Sequence, residues 1–314
     1  MSSTDIAASD TLPVTVIGGY LGAGKTTLVN SLLRNADGLR LAVLVNEFGE
    51  LPIDADLIES QDDNVIAIAG GCVCCSYGND LVMAMIDLAQ MEPRPQRVLL
   101  EASGVALPGA IASSIGLLQP YRLDGVIVLA DAETVQARAE DQYMGDTIVR
   151  QLEDADLILL NKSDLLSQSA LSLTCEWLAD RFPNTRCLAT SHASLPRDVA
   201  LGPMQWEVRP SRREPAQHDT EYETLSFDVD GRVDPYVLAD ALANEALGVV
   251  RAKGFVRSGS GEVFEIQVVG SRSSAVPASA AKTTRIVCIG LKSRLNRSRV
   301  DQALAGAGAL GGTP

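Results

Sequence analysis

Residues 19–26 are Gly-Tyr-Leu-Gly-Ala-Gly-Lys-Thr, and this segment is the strongest indication of the fold in the sequence. It fits the pattern G-x-x-x-x-G-K-[ST], which forms a phosphate-binding loop when a strand leads in and a helix leads out. Residues 14–17 are a β-branched run and residues 26–34 suit a helix. The glycines let backbone N–H groups turn inward around phosphate oxygens, and the helix N-terminus adds positive potential. The stretch therefore predicts a P-loop.

Around this loop, short apolar runs alternate with longer stretches that suit helices. The runs are residues 14–17, 41–45, 65–69, 97–100, 126–129 and 157–160. Apolar strands that alternate with helices predict a mostly parallel sheet flanked by helices on both faces. The predicted fold class is therefore α/β, a P-loop NTPase, and functional residues are expected at the carboxyl ends of the strands.

A polar, proline-bearing segment separates this region from a smaller C-terminal region. The smaller region predicts an α+β domain, with strands near 224–229, 254–257, 263–269 and 285–289 and a helix near 235–246. The final residues are rich in Gly and Ala. We predict a disordered N-terminus at 1–12, a P-loop domain at 13–208, a linker at 209–221, the α+β domain at 222–304 and a flexible tail at 305–314.

The composition excludes several classes of partner. A net charge of −14 argues against nucleic acid and anionic membrane. No run reaches the roughly 18 apolar residues of a spanning helix, and the first twelve residues lack the pattern of a signal peptide. We therefore expect a cytoplasmic protein with no nucleic-acid or membrane partner, where closely spaced cysteines are metal ligands or redox groups before they are disulfides.

The P-loop residues have separate expected roles. Lys25 should reach the β- and γ-phosphates, and the hydroxyl of Thr26 should ligate Mg²⁺. The remaining candidate nucleotide-binding residues of the loop are Gly19, Gly22, Ala23, Gly24 and Thr27.

A second motif, Asn161-Lys-Ser-Asp164, follows the apolar run 157–160 directly. In GTPases this spacing sets an Asp carboxylate opposite the N1–H and N2–H₂ donors of guanine, with Lys along the base. Adenine lacks that pair of donors, so the carboxylate would stay desolvated and unpaired. A polar turn with capping Asn and Asp is the alternative. The position far downstream of the P-loop favours GTP, with Asn161, Lys162 and Asp164 as candidate base-binding residues.

The run 97–100 ends in Glu101-Ala-Ser-Gly104. This segment resembles a Walker B strand followed by the glycine that senses a γ-phosphate, with Glu where Asp is more usual. A carboxylate here can hold Mg²⁺ through water or orient the attacking water; the alternative is a capping carboxylate. Lys25, Glu101 and Gly104 are therefore the candidate catalytic residues.

Two more carboxylates, Glu47 and Glu50, follow the run 41–45. They are candidate ligands of Mg²⁺ or parts of a nucleotide-responsive switch. A solvated acidic loop is the alternative.

The run 65–69 leads into Gly-Gly-Cys-Val-Cys-Cys at 70–75. In an extended segment Cys72 and Cys74 point the same way and Cys75 points opposite. Thiolates so close suit Zn²⁺ or Cu(I), with Co²⁺ also compatible, and the glycines let the segment reshape when a γ-phosphate arrives. Buried structural cysteines and a redox role are the alternatives. The structural role is assigned to the scattered cysteines Cys175, Cys187 and Cys288.

Five motifs occur in combination: Gly-Gly-Tyr-Leu-Gly-Ala-Gly-Lys-Thr-Thr-Leu at 18–28, Asn-Glu-Phe-Gly-Glu at 46–50, Gly-Cys-Val-Cys-Cys at 71–75, Glu-Ala-Ser-Gly at 101–104 and Asn-Lys-Ser-Asp at 161–164. Together they resemble the CobW-like metallochaperone GTPases, a group that includes nitrile hydratase activators. Residues 251–255 and 285–290 are similar to the C-terminal domain of that family, so the resemblance covers nearly the whole chain.

The resemblance implies GTP and Mg²⁺ binding, slow hydrolysis of GTP, and a transition metal held at Cys72, Cys74 and Cys75 in the GTP state. Hydrolysis would release the metal to a client metalloprotein. By position, Lys25 and Thr26 serve the phosphates and Mg²⁺. The metal is Zn²⁺ or Co²⁺, with Fe²⁺ also a candidate, and a nucleotide- or metal-dependent dimer is compatible with this picture.

One departure from the family concerns histidine. Many members carry a histidine-rich tract, whereas this chain has only His192 and His218, which disfavours zinc buffering and leaves delivery to one enzyme. Two alternatives stay open: a GTP-dependent assembly factor that remodels a metalloenzyme such as a nitrile hydratase without carrying metal, and a P-loop phosphotransferase. The second needs an acceptor pocket and a general base, and the sequence offers no evident candidate.

Overall fold

The computed structural model describes residues 11–45, 65–69, 79–203, 221–278 and 284–308. The chain divides into two compact units. One is Leu12–Arg197, and the other begins at Asp198.

The first unit is built on a seven-stranded sheet. Its strands are β1 (Leu12–Gly19), β2 (Leu41–Val45), β3 (Val65–Ala69), β4 (Arg97–Glu101), β5 (Tyr121–Asp131), β6 (Leu157–Asn161) and β7 (Arg186–Ala189). Their order is β3-β2-β4-β1-β5-β6-β7, and every pairing in that order is parallel. The predicted α/β fold class is confirmed.

Helices cover this sheet because its strands are apolar on both faces. Val14 and Val16 of β1 pack in one cluster with Met85 and Ile111. Ile17 alternates with them, therefore faces the other side, and is also fully buried. The helices of the described part are α1 (Lys25–Arg34), α2 (Asn79–Ala89), α3 (Pro108–Ile115), α4 (Val135–Ala139), α5 (Gly145–Glu153) and α6 (Gln168–Arg181), with α7 (Arg197–Leu201) where the units meet in sequence.

The register of the strands brings their carboxyl ends level at one edge of the sheet. Glu101 lies opposite Ile17 of β1 on one side and Val45 of β2 on the other. Val45 in turn lies opposite Ala69 of β3. The P-loop, the carboxylate of β4 and the exit of β3 therefore share this edge, as expected for a parallel sheet.

The second unit is a five-stranded antiparallel sheet with two helices. Its elements are β8 (Tyr222–Asp228), α8 (Pro235–Ala243), β9 (Val249–Arg257), β10 (Val263–Val269), β11 (Arg272–Pro277), β12 (Arg285–Leu291) and α9 (Arg297–Gly308). The strand order is β11-β10-β9-β12-β8, with antiparallel pairings throughout. Leu238 of α8 and Val300 of α9 pack on Val256, Ile266 and Ile286 of the sheet, which confirms the smaller α+β domain.

Two elements of the second unit, β11 and α9, were not predicted. β11 pairs along its whole length with β10, although its residues are mostly small and polar. α9 includes residues 305–308, which the composition predicts to belong to a flexible tail; Ala307 is nevertheless buried and its carbonyl accepts a 3.0 Å hydrogen bond from the N–H of Asp234. Across the described ranges, no helix combines the length and hydropathy needed to cross a membrane.

Candidate functional site

The P-loop connects β1 to α1 at the carboxyl edge of the first sheet. Gly19, Gly22 and Gly24 have φ angles of 129°, 78° and 108°, a region that residues with side chains rarely adopt. At Gly24 a Cβ atom would also lie 2.5 Å from the side-chain nitrogen of Asn161. The conformation and the crowding together require glycine in this loop.

Lys25 and Thr26 begin helix α1 and face the end of β4. The Lys25 side chain is 5% exposed, and its Nζ donates a 3.3 Å hydrogen bond to the carbonyl of Tyr20 within the loop. The Thr26 hydroxyl donates a 2.8 Å hydrogen bond to Oε1 of Glu101, which is 1% exposed. Because the hydroxyl proton is used on Glu101, the lone pairs of Thr26 are available to a cation. A hydroxyl beside a carboxylate at a P-loop fits Mg²⁺.

The turn after β4 touches the P-loop directly. A Cβ atom on Gly104 would lie 2.6 Å from Cδ2 and 2.9 Å from the backbone nitrogen of Leu21, so a larger residue would displace one of the two loops. The Ser103 hydroxyl oxygen is buried and has no hydrogen-bond partner among the described residues. Gly104, the residue predicted to sense the γ-phosphate, thus lies in contact with the P-loop, which is predicted to bind that phosphate.

Asn161, at the end of β6, joins the P-loop to the loop that follows β7. Its Nδ2 donates a 2.8 Å hydrogen bond to the carbonyl of Ala23, and its Oδ1 accepts a 2.7 Å hydrogen bond from the N–H of Ala193. The side chain is 3% exposed. Because both polar atoms of Asn161 are hydrogen-bonded to protein, this side chain connects the two loops.

Lys162 and Asp164 continue the same motif towards solvent. Lys162 has a φ of 62°, and its Nζ lies 2.6 Å from Oδ2 of Asp131 at the end of β5. Asp164 is exposed in the single 3₁₀ turn that follows. Ser163 anchors this turn, because its N–H and hydroxyl both donate to the carbonyl of Thr190, at 3.0 and 2.8 Å. The Asp164 carboxylate is therefore available to a ligand while the backbone beneath it is fixed.

The segment from Thr190 to Ser194 is part of this site, although no motif in the sequence marks it. His192 and Ala193 have φ angles of 52° and 50°, and the Thr190 hydroxyl donates a 2.7 Å hydrogen bond to the carbonyl of Ser194. The available signal was position alone, since the segment follows β7 at the carboxyl edge of the sheet. The hydrogen bonds of Asn161 connect this segment to the P-loop.

The candidate transition-metal ligands Cys72, Cys74 and Cys75, and the acidic residues Glu47 and Glu50, lie outside the described residues. Within residues 11–45, 65–69, 79–203, 221–278 and 284–308, no group of three or more His, Cys, Asp or Glu side chains is arranged to hold a metal ion.

One of the scattered cysteines, Cys288, belongs to the core of the second unit. Cys288 on β12 is fully buried, and burial raises the pKa of its thiol to about 12. Since the thiolate is the form that binds metal, Cys288 stays a neutral core residue at neutral pH. This agrees with the structural role predicted for it.

Comparison with known proteins settles the family. The family model described as the CobW/HypB/UreG nucleotide-binding domain matches residues 13–188. The chain belongs to this family. A second model, the cobalamin synthesis protein cobW C-terminal domain, matches residues 222–307. The resemblance to CobW-like proteins is thereby confirmed for both units.

Several CobW family members resemble the chain over most of its length. The zinc chaperone CobW of a Sinorhizobium species is 30% identical over 329 residues, which covers 89% of this chain and 93% of that protein. The zinc chaperone CobW of Pseudomonas aeruginosa is 32% identical over 328 residues, with coverages of 89% and 87%. Among solved structures, the Zn(II)-bound YjiA GTPase from E. coli matches with a TM-score of 0.47 and 23% identity, covering 95% of this chain and 99% of that one.

Proposed function

We propose that this protein is a GTP-dependent metal chaperone that takes up Zn²⁺ at Cys72, Cys74 and Cys75 in its Mg²⁺–GTP state and releases the ion to a client metalloprotein when GTP is hydrolysed. Family membership and the P-loop geometry support the GTPase part. The relatives named zinc chaperone CobW, and those named zinc-regulated GTPase metalloprotein activator 1 in Schizosaccharomyces pombe and Dictyostelium discoideum, support the metal and the client.

The observation that carries the proposal is the alignment of three strand ends. Ala69 of β3 is level with Val45 of β2, and Val45 is level with Glu101 of β4. Two strand spacings amount to about 10 Å, so the chain enters the cysteine segment at roughly that distance from the carboxylate that holds Thr26.

Each residue of the nucleotide site has a definite task in the proposed hydrolysis. Water attacks the γ-phosphorus and GDP leaves with the bridging oxygen, and Lys25 offsets the negative charge that develops on the phosphate oxygens. Glu101 keeps the Thr26 hydroxyl oriented, with its lone pairs towards the cation. Mg²⁺, when bound, supplies further charge neutralisation. Asp164 selects guanine by accepting hydrogen bonds from its two donors.

Three thiolates suit the transport of a metal ion. Zn²⁺ prefers four ligands, and a three-cysteine set leaves one position for a ligand of the client. The ion can then pass by ligand exchange without becoming fully hydrated. We place this exchange in the cytoplasm, where thiols remain reduced, and we retain Co²⁺ and Fe²⁺ as further candidate cargoes.

The direct test is a competition titration of Zn²⁺ and Co²⁺ against a chromophoric chelator, with Mg²⁺ and either GTPγS or GDP. We expect much tighter metal binding with GTPγS in the wild type and loss of that tight binding in Cys74→Ala. Cys175→Ala is the matched control, because this cysteine packs against the core of the first unit. Equal weak binding with both nucleotides would leave the protein as a GTP-dependent activator that does not carry metal.

A further inference from the structure

Gln151 is a buried amide that lies behind the nucleotide site, on helix α5. Its side chain is 1% exposed. Its single Nε2 group donates two hydrogen bonds, one of 3.1 Å to the carbonyl of Gly104 and one of 2.8 Å to the carbonyl of Ala106. Both carbonyls belong to the turn that follows Glu101.

The orientation of this amide is fixed by its partners. A carboxamide nitrogen carries two protons, and Gln151 uses one on each carbonyl. Rotation of the amide by 180° would place Oε1 against two carbonyl oxygens, which repel it. Since a buried donor or acceptor without a partner costs about 1–3 kcal/mol, the amide and the turn hold one another in place.

A second residue of the same segment holds the end of the turn. Asp154 follows α5, and its Oδ2 accepts a 2.8 Å hydrogen bond from the N–H of Gly109 in the first turn of α3. Gln151 and Asp154 are three residues apart and so lie on one side of the helical segment. The connection from Gly104 to Gly109 is thus held at one end by α5 and at the other by the residue that follows it.

The start of α5 contacts the P-loop. The Tyr20 hydroxyl donates a 2.6 Å hydrogen bond to the sulfur of Met144, the residue before α5. The guanidinium of Arg138 stacks over the Tyr20 ring at 4.7 Å from its centre. The segment from Arg138 to Asp154 therefore contacts both loops predicted to touch the γ-phosphate, one at each end.

We propose that Gln151 is a positioning residue that sets the Gly104 turn for the γ-phosphate and transmits the nucleotide state to helix α5. In a trans peptide the carbonyl and the N–H of one unit point in opposite directions, so holding the Gly104 carbonyl on Gln151 directs the following N–H of Val105 away from α5. The proposal rests on the proposed GTPase function and adds the residue by which the body of the domain responds to GTP.

The test measures the affinities of Gln151→Met and Gln151→Glu for GTPγS and GDP, with Mg²⁺ present. GDP contacts the P-loop but lacks the phosphate that the Gly104 turn meets. We expect GTPγS affinity to fall about tenfold or more, as the loss of buried hydrogen bonds implies, while GDP affinity changes less than about twofold. Gln136→Met, an exposed glutamine of α4, is the control and should match the wild type for both nucleotides.

Equal loss of GTPγS and GDP affinity, or no change in either, would overturn the positioning role and leave Gln151 as a purely structural residue. Failure of the wild type to bind GTPγS would instead reject the proposed function itself. Hydrogen exchange on the wild type gives a measurement that does not depend on folding of the variants. Amides of 104–107 and 145–153 should gain protection together on replacing GDP with GTPγS; protection of the turn without any change in α5 contradicts the proposal.

Discussion

Two buried lysines, one in each unit, show how differently the two halves of the molecule use buried charge. Lys25 and Lys253 are each 5% exposed. Lys25 donates to a backbone carbonyl of the P-loop, whereas Lys253 on β9 lies 3.2 Å from Oε1 of Glu265 on the neighbouring strand β10. That carboxylate oxygen also accepts a 3.0 Å hydrogen bond from Gln267.

The different surroundings of the two lysines distinguish a lysine placed for a ligand from a lysine paired for stability. In the antiparallel unit the lysine has its counter-ion within the sheet, so its charge is balanced before anything binds. In the parallel unit the lysine stands at the strand edge where phosphate is expected, beside the glycine-rich loop whose Tyr20 carbonyl accepts a hydrogen bond from it. We therefore propose that Lys25, at the glycine-rich loop, serves a phosphate ligand, whereas Lys253, paired with a carboxylate on the next strand, serves the stability of its sheet.

The largest expected effect is on nucleotide binding in Lys25→Ala. The variant loses charge-assisted hydrogen bonds to two phosphates, worth roughly 4 kcal/mol or about a thousandfold in affinity. Titration with a fluorescent GTP analogue measures it. The thermal midpoint of the nucleotide-free protein should stay close to that of the wild type, and GTP affinity within tenfold of wild type would contradict the assignment of the P-loop lysine.

The complementary change is Lys253→Met, which should affect stability and spare the nucleotide. The substitution takes the Lys253 ammonium away from the buried Glu265 carboxylate, a loss of roughly 3–5 kcal/mol in the free energy of unfolding. Urea denaturation followed by circular dichroism measures it. GTP affinity of the folded variant should equal that of the wild type, so any large loss of affinity would erase the distinction between the two lysines.

A smaller effect is expected at the base-reading loop, in Asp164→Asn. The amide retains one acceptor but loses the charge that binds the two guanine donors, so the preference for GTP over ATP should fall by about ten- to a hundredfold. The Asp164 side chain is exposed, and stability should not change. Competition of ATP against a labelled GTP analogue provides the measurement; an unchanged preference would reject Asp164 as the residue that reads the base.

The smallest expected effect concerns Cys288 in the core of the second unit. Burial raises the pKa of this thiol from 9.0 to about 12. Between these two values the unfolded chain releases a proton that the folded chain keeps, so stability is complete below pH 9 and declines as pH rises, by up to about 1.4 kcal/mol per pH unit. Cys288→Ala should flatten this decline between pH 9 and 10 in urea denaturation, and an identical slope in both proteins would refute the linkage.

Much of the first unit could be predicted from its sequence because its signals are local. Each of its patterns predicts a conformation from a few neighbouring residues. These patterns are the glycines of residues 19–24, the apolar runs, and the polar residues at the ends of β4 and β6. The base-reading motif gave Asn161, but only the structure shows that its side chain braces the P-loop, because Ala193 is distant in sequence.

The remainder of the fold and site depends on contacts distant in sequence. Gln151 stands in an amphipathic helix, and nothing near it indicates that its amide reaches Gly104. α9 ends in Gly and Ala, which favour a frayed tail by composition, yet Ala307 is buried by packing against the rest of its unit. Packing can override local propensity wherever an element has an apolar face to cover.

The most direct test of the central claim follows Zn²⁺ release during a single turnover. The protein is loaded with Zn²⁺ and Mg²⁺–GTP, and stopped-flow fluorescence of a zinc indicator is recorded in parallel with phosphate release. We expect Zn²⁺ to leave at the rate at which phosphate is released, and to stay bound when GTPγS replaces GTP. Zinc release at the same rate with both nucleotides, or zinc retained after phosphate has left, would contradict a metal site controlled by GTP hydrolysis.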